Sequence, residues 1–271
     1  VAPDGQTNNN NQNNNNTPWT PPTNSRVYVN SQDTLYYIDP GVSQDLVEIG
    51  TFTGTCTNGS GFLDIAVNDE DTLLGISAEG LFEIHKTTAG CTEVFAFPEN
   101  SPRFYALSYV KGVDPLDLGK DVLMAASDEG EWVRINWPAE HIPDIFIHVG
   151  WYDPPDNEWI SSGDIVSVQV ADNTTVTYAT LKCADGYTGA GCESDALARI
   201  NPQTGLATII GMTGFQRIFG VGYWGDKVYG FTAQGEYITI NTQTGQGTLV
   251  QTFAGVSFWG AGNTTIPYIV E

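Results

Sequence analysis

The stretch RINPQTGLATIIG (199–211) returns, 40 residues on, as TINTQTGQGTLVQ (239–251). Both read apolar residue, Asn, two-residue spacer, Thr-Gly, then a short β-prone run. Self-similarity at such a distance means repeated supersecondary units that bury their faces against one another. Fainter copies of the same "apolar-x-Ile-polar, turn, strand" pattern surround Ile38, Ile84 and Ile135, ahead of Ile200 and Ile240, at gaps of 46, 51, 65 and 40 residues. That spacing suits the blades of a propeller, with insertions in the third and fourth units.

Each copy carries strand-like partners upstream. The second reads FLDIAV, LLGISA, LFEI and TEVFAF; the fifth reads IFGVGYW, KVYGFT, EYITI and TLVQTF. The third fits as FYALSYV, DVLMAAS, GEWVRI and DIFIHVG, the fourth as DIVSVQV, TVTYATL, ALARI and ATIIGM. SAEG, SDEG and TAQG sit between second and third strands, with Gly where a tight hairpin needs positive φ. The unit is a four-stranded antiparallel meander, which buries both faces only when several stand radially, face against face. The first copy begins at RVYVN and lacks an inner strand; SFWGAGN, from Ser257, matches the missing piece. The expectation is an all-β, five-bladed β-propeller over 26–271, closed by a C-terminal strand that completes the first blade and removes a sheet edge. The segment 266–271 has no place in this scheme, and either pairs beside the first blade or starts a sixth.

LYYIDP, ARINPQTGLATIIGMTG and ITINTQTGQGTLVQTF resemble the LYxIDPxTGxxTxIG repeats of bacterial secreted and cell-surface propeller proteins, frequent among myxobacterial lipoproteins. The likeness covers about 26–262 and implies the fold, with little to say of function, because propellers host binding, scaffolding and catalysis alike.

The charge excludes one class of partner. Ten basic against 32 acidic residues give a net charge of −22, which repels phosphate backbones and anionic lipid, so no nucleic-acid partner is expected. No apolar run is long enough to span a bilayer. Four cysteines without a CxxC pattern suggest two disulfides rather than zinc. Cys183 and Cys192 bracket a Gly-rich loop, CADGYTGAGC, which leaves Cys56 and Cys91 as the second pair. Together with the Val-Ala-Pro start they lead to the expectation of an extracellular, cell-surface or periplasmic protein freed from a signal peptide. Residues 1–25, rich in Asn and Pro, cannot bury apolar surface and read as an arm for docking on a neighbouring chain.

Signatures of chemistry are sparse. No GxSxG, HExxH or P-loop occurs, and His85 falls where Asp39, Asn136, Asn201 and Asn241 cap turns. The inner strands offer Asp64, Asp164 and Trp259 to a central funnel. Two aspartates there raise the option of a carboxylate-dependent glycoside hydrolase, although no inner-strand Glu supplies an obvious acid. GWYDPPDNEWISSGD (150–164), between the third and fourth blades, is the most unusual segment. Trp151, Tyr152, Asp153, Asp156, Glu158 and Trp159 suit partner or glycan contact at a rim. The acids also offer oxygen ligands to calcium, at a spacing unlike an EF-hand, and the plain alternative is a loop covering core. No other cofactor is expected. The functional expectation is a non-catalytic recognition or scaffold propeller that binds a protein or its own kind, with a lectin-like glycan binder as the alternative.

Overall fold

The computed structural model describes residues 26–58, 61–136, 145–153, 158–171 and 174–266. The expected arm (1–25), Asp156 and 267–271 lie outside the described residues.

Five antiparallel sheets stand in a ring, a five-bladed β-propeller. From axis to rim, blade I is Gly260–Gly262, Val27–Asn30, Thr34–Ile38 and Val47–Thr51. Blade II is Asp64–Val67, Leu73–Ile76, Gly80–Ile84 and Gly90–Ala96, its outer edge covered by Thr53–Gly54 in parallel pairing. Blade III is Phe104–Val110, Val122–Ser127, Glu131–Ile135 and Phe146–Trp151. Blade IV is Trp159–Ala171, Thr174–Cys183, Ala196–Ile200 and Ala207–Met212, and blade V is Ile218–Trp224, Lys227–Thr232, Glu236–Ile240 and Gly247–Thr252. Closure follows the expected route, with Gly260, Ala261 and Gly262 paired to Asn30, Val29 and Tyr28. The core is divided into five apolar clusters, one at each junction between adjacent blades, the V–I junction included. No blade therefore buries its faces without both neighbours.

The repeated motif is one half of a blade-to-blade contact. Asn201 and Asn241 side chains accept the amides of Gln203 and Gln243, which fixes the turn as expected. The following Gly205 and Gly245 have φ of 79° and 76°, conformations that cost a residue with a Cβ. The turns then press on the preceding blade. A Cβ at Gly150 of blade III would strike the Thr204 carbonyl, and one at Gly211 of blade IV the Thr244 carbonyl. Those glycines follow a β-bulge found in all five outer strands. Against each third strand one outer residue is skipped: Ile49, Val94, Val149, Ile210 and Val250 in turn. A bulge sharpens strand twist, which lets sheets splay radially from a common axis. All five skipped residues are β-branched, a repeat signature fainter than the Thr-Gly turn but present in every blade.

Both expected disulfides are formed, Cys56–Cys91 and Cys183–Cys192, with Cα separations of 5.8 and 5.7 Å. The insertion after blade III's inner strand is held by Lys111, whose ammonium donates to Asp69 Oδ2 (2.8 Å) and the Gly119 carbonyl (2.7 Å) and pairs with Asp121 Oδ1 (2.8 Å). Thr265 also donates to Asp121, which ties the segment after the closing strand to this corner. Asn263 is buried; its Oδ1 accepts the Tyr223 amide, which makes it a structural residue.

Candidate functional site: the axial funnel and its floor

Five inner strands converge at one end of the axis, and equivalent positions on them build two layers. The lower layer consists of Asp64, Ala106, Asp164, Gly220 and Gly260, in blades II, III, IV, V and I. Both aspartates are 0% exposed. Asp64 accepts the amides of Ile65 (Oδ1, 2.8 Å) and Leu107 (Oδ2, 2.6 Å). Asp164 accepts those of Ile165 (Oδ1, 2.5 Å), Val221 (Oδ2, 2.7 Å) and Ala261 (Oδ2, 3.2 Å). Two carboxyl groups thus collect one inner-strand amide from each of the five blades. The other three positions carry Ala, Gly and Gly; a Cβ on Gly220 would crowd the Gly260–Ala261 backbone. A Cβ on Gly260 would collide with Asp64 Oδ1.

The two acids are neighbours and act on each other electrostatically. Burial pushes both pKa values well above the usual carboxylate range, and for Asp64 the neighbouring charge of Asp164 adds to it. The pair titrates as a unit, with the five backbone amides favouring its charged form against that burial. Every oxygen of the pair is engaged and neither side chain reaches solvent. The sequence placed both aspartates at the axis, and the structure joins them, as a plug beneath the funnel rather than as part of its wall.

The upper layer is displaced by one residue: Leu63, Tyr105, Gly163, Phe219 and Trp259, one from each blade. They line a cavity of about 350 Å³ together with Ser161, Ser162, Lys182 and Asp128. Local strand irregularities aim several of them. Pairing jumps from Phe104 to Ala106 in blade III and from Ile218 to Gly220 in blade V, leaving Tyr105 and Phe219 as bulge residues. In blade IV it jumps from Ser161 to Ile165, which frees Ser162, Gly163 and Asp164 from the ladder. Bulges are a common means of re-aiming a side chain beside a site. Gly163 has no side chain because blade V's backbone, at Ile218 and Phe219, occupies the space a Cβ would take. Trp259 is anchored through its amide, which donates to the Asn30 carbonyl at 2.8 Å.

The wall behind Ser162 is firmly built. Asp195 is 0% exposed, accepts the Ser162 hydroxyl and the Ile218 amide at Oδ2 (both 2.7 Å), and accepts the Tyr187 hydroxyl at Oδ1 (2.7 Å). Burial raises the Asp195 pKa, and burial beside Asp195 pushes the Tyr187 phenol up to about 12. Tyr187 sits in the loop closed by Cys183–Cys192, so that disulfide supports the funnel wall. Lys182, next to Cys183, feels Asp195 electrostatically yet makes no hydrogen bond or ion pair among the described residues. Arg217 lies over the Phe219 ring, 5.5 Å from its centroid.

The rim candidates are scattered by comparison. Trp151 ends blade III's outer strand, half-buried, with its ring 5.8 Å from that of His148. Trp159 starts blade IV's inner strand opposite Cys183 and packs partly on the III–IV core. Asp153 Oδ2 accepts the amides of Glu158 (3.0 Å) and Trp159 (3.1 Å), so this carboxylate closes its own loop. Glu158 is exposed. Tyr152 is a correction: it is 1% exposed, and its ring packs 6.0 Å from Trp132 in the III–IV core. Its backbone is pinned to the Gly130 carbonyl (3.0 Å) and the Ala207 amide (2.8 Å), so the residue is fixed inward before the loop begins. Sequence reading found Trp259 but passed over Tyr105, Phe219, Leu63 and Lys182. The available signal was positional: each of the first three immediately precedes the inner-strand position held by Asp, Ala or Gly. Among the described residues no cluster of three or more His, Cys, Asp or Glu is placed to hold a metal ion, and no helix is long and apolar enough to cross a membrane.

No model of a known protein family matches this chain, and no curated protein matches it. Among solved structures it is similar to virginiamycin B lyase from Staphylococcus aureus, at 12% identity and a TM-score of 0.42, over 86% of this chain and 68% of that one. It is similar also to AztD of Citrobacter koseri, at 13% identity and 0.36, over 89% of this chain and 60% of that one. A third is the computationally designed Ika8 protein, at 13% and 0.31, over 86% of this chain and 60% of that one. At such identities and TM-scores the likeness says nothing of function, and the five-bladed ring rests on this chain's own strand topology.

Proposed function

We propose that this chain is a non-catalytic recognition propeller of an oxidising compartment and that its ligand enters the axial funnel. The observation that carries this reading is the contrast between the two axial layers. Aromatic and polar side chains face an open cavity of about 350 Å³, within the roughly 300–1,000 Å³ of common ligand clefts. The paired acids that a hydrolase would use lie sealed beneath it, with every oxygen engaged. Two disulfides support the oxidising compartment. The test is a mixed library of sugars, peptides and small organic compounds, followed by tryptophan fluorescence and ligand-observed NMR. Expected is saturable binding that weakens in Trp259→Ala and Tyr105→Ala at unchanged Tm. Binding untouched by both substitutions overturns the funnel as the site, and chemical turnover of a bound compound overturns the non-catalytic role.

A further inference from the structure

We infer that the funnel takes a neutral carbohydrate residue, presented as the free end of a glycan or as a small free saccharide. This rests on the proposed funnel site and adds the ligand's chemical class.

Three features of the wall select it. First, Tyr105, Phe219 and Trp259 arrive from three different blades and Leu63 from a fourth, so apolar surface surrounds the ligand on most sides. The remaining blade, blade IV, offers only Gly163, and polar groups gather there: Ser161, Ser162 and Lys182. A ligand must therefore offer apolar faces and a polar edge at once. A pyranose ring does so, with C–H groups on its faces and hydroxyls around its perimeter.

Second, the charges on the wall cancel. One cation, Lys182, and one anion, Asp128, line the cavity. Neither side chain makes a hydrogen bond or ion pair among the described residues, and Asp195, which Lys182 feels electrostatically, is already occupied by Ser162, Tyr187 and Ile218. An unpaired donor and an unpaired acceptor both want partners, and a hydroxyl serves either. A cationic ligand is opposed by Lys182. An anionic one is opposed by Asp128 and by the net charge of −22.

Third, the funnel is blind. The plug of Asp64 and Asp164 joins all five inner strands directly below it, so a polymer cannot thread through. A cavity of about 350 Å³ at the small end of the usual range has room for one or two rings. Recognition is therefore of a terminus.

The experiment uses the full chain on an array of glycans with neutral and with acidic termini, then titrates hits by calorimetry against wild type, Trp259→Ala, Tyr105→Ala and Lys182→Met. The expected result is binding of neutral termini, weakened about tenfold or more by Trp259→Ala, the loss of roughly one stacking contact, and several-fold by Lys182→Met. If Trp259→Ala does not fold, Tyr105→Ala and Lys182→Met carry the test. Binding confined to acidic termini overturns the neutral class. No glycan binding, with a peptide or other organic ligand lost in the same variants, overturns carbohydrate but leaves the funnel as the site. No ligand of any class, or binding that none of the three variants weakens, overturns both.

Discussion

Asp64 and Asp164 sit one residue away from Leu63 and Gly163, on the same strands and at the same end of the axis, yet the two layers obey opposite rules. In the lower layer every polar oxygen of the pair is paired, the exposure is zero and the volume is taken up. In the upper layer aromatic rings are half-exposed and Lys182 lacks a partner among the described residues. Local departures from the ladder put consecutive side chains in different surroundings, and here they separate the part of the axis that holds the ring together from the part free to meet a ligand. The difference teaches that an acid near a propeller axis is not by itself evidence of acid–base chemistry. What decides is whether its oxygens are already satisfied by backbone.

Substitutions can break that comparison, and Asp164→Ala should do most. It leaves the amides of Ile165, Val221 and Ala261 buried without an acceptor. The expected loss is on the order of 3–5 kcal/mol, hence a fall in Tm of about 10 °C or more. A Tm within a few degrees of wild type would contradict the role of the plug. Gly260→Ala comes next, since its methyl meets Asp64. Roughly 1–3 kcal/mol is expected from overpacking, read by urea denaturation.

Asp64→Asn should cost about 1–3 kcal/mol at acid pH, because an amide NH₂ cannot accept one of the two backbone donors. Its sharper effect is on pH dependence. The folded pair keeps a proton that the unfolded chain releases near pH 4, so the associated stability is complete below that pH and declines as pH rises through the pair's titration. One proton accounts for up to about 1.4 kcal/mol per pH unit. Buried Asp195, also raised, acts in the same direction. Removing the titrating proton in Asp64→Asn should flatten the slope relative to wild type, and identical slopes would show that the pair holds no proton. The upper layer should respond the other way. Trp259→Ala should change stability by about 1 kcal/mol or less while abolishing most ligand affinity, because half-exposed rings contribute little to folding. Trp151→Ala, on the outer strand of blade III, should change neither by a measurable amount.

The ring was legible because its repeats state their own geometry: the Asn-x-x-Thr-Gly turn, the hairpin glycines and the orphan SFWGAGN each have one structural meaning. Asp64 and Asp164 were legible as axial but not as partners. Their joining depends on Ala106, Gly220 and Gly260 standing at the same level on other blades, a relation visible only once the five strands are aligned by position rather than by similarity. Tyr152 was misplaced because the polar, Pro-rich stretch after it hides a backbone already pinned to Gly130 and Ala207. Tyr105 and Phe219 were missed since a bulge gives no compositional sign; an ordinary alternating strand would send the same residues into a junction core.

The amide of Ala261 has a further consequence. Gly260–Gly262 leaves the ribosome after every other strand of the five blades, and its partners are among the earliest, at Val27–Asn30, as well as Asp164 midway along the chain. The ring therefore cannot close until this strand has emerged. Until this short, side-chain-poor piece arrives, Asp164 lacks one of its donors and blade I lacks its axial edge. A chain cut short upstream of Gly260 leaves the ring open, so closure of the whole ring is decided at its centre, by its last blade strand.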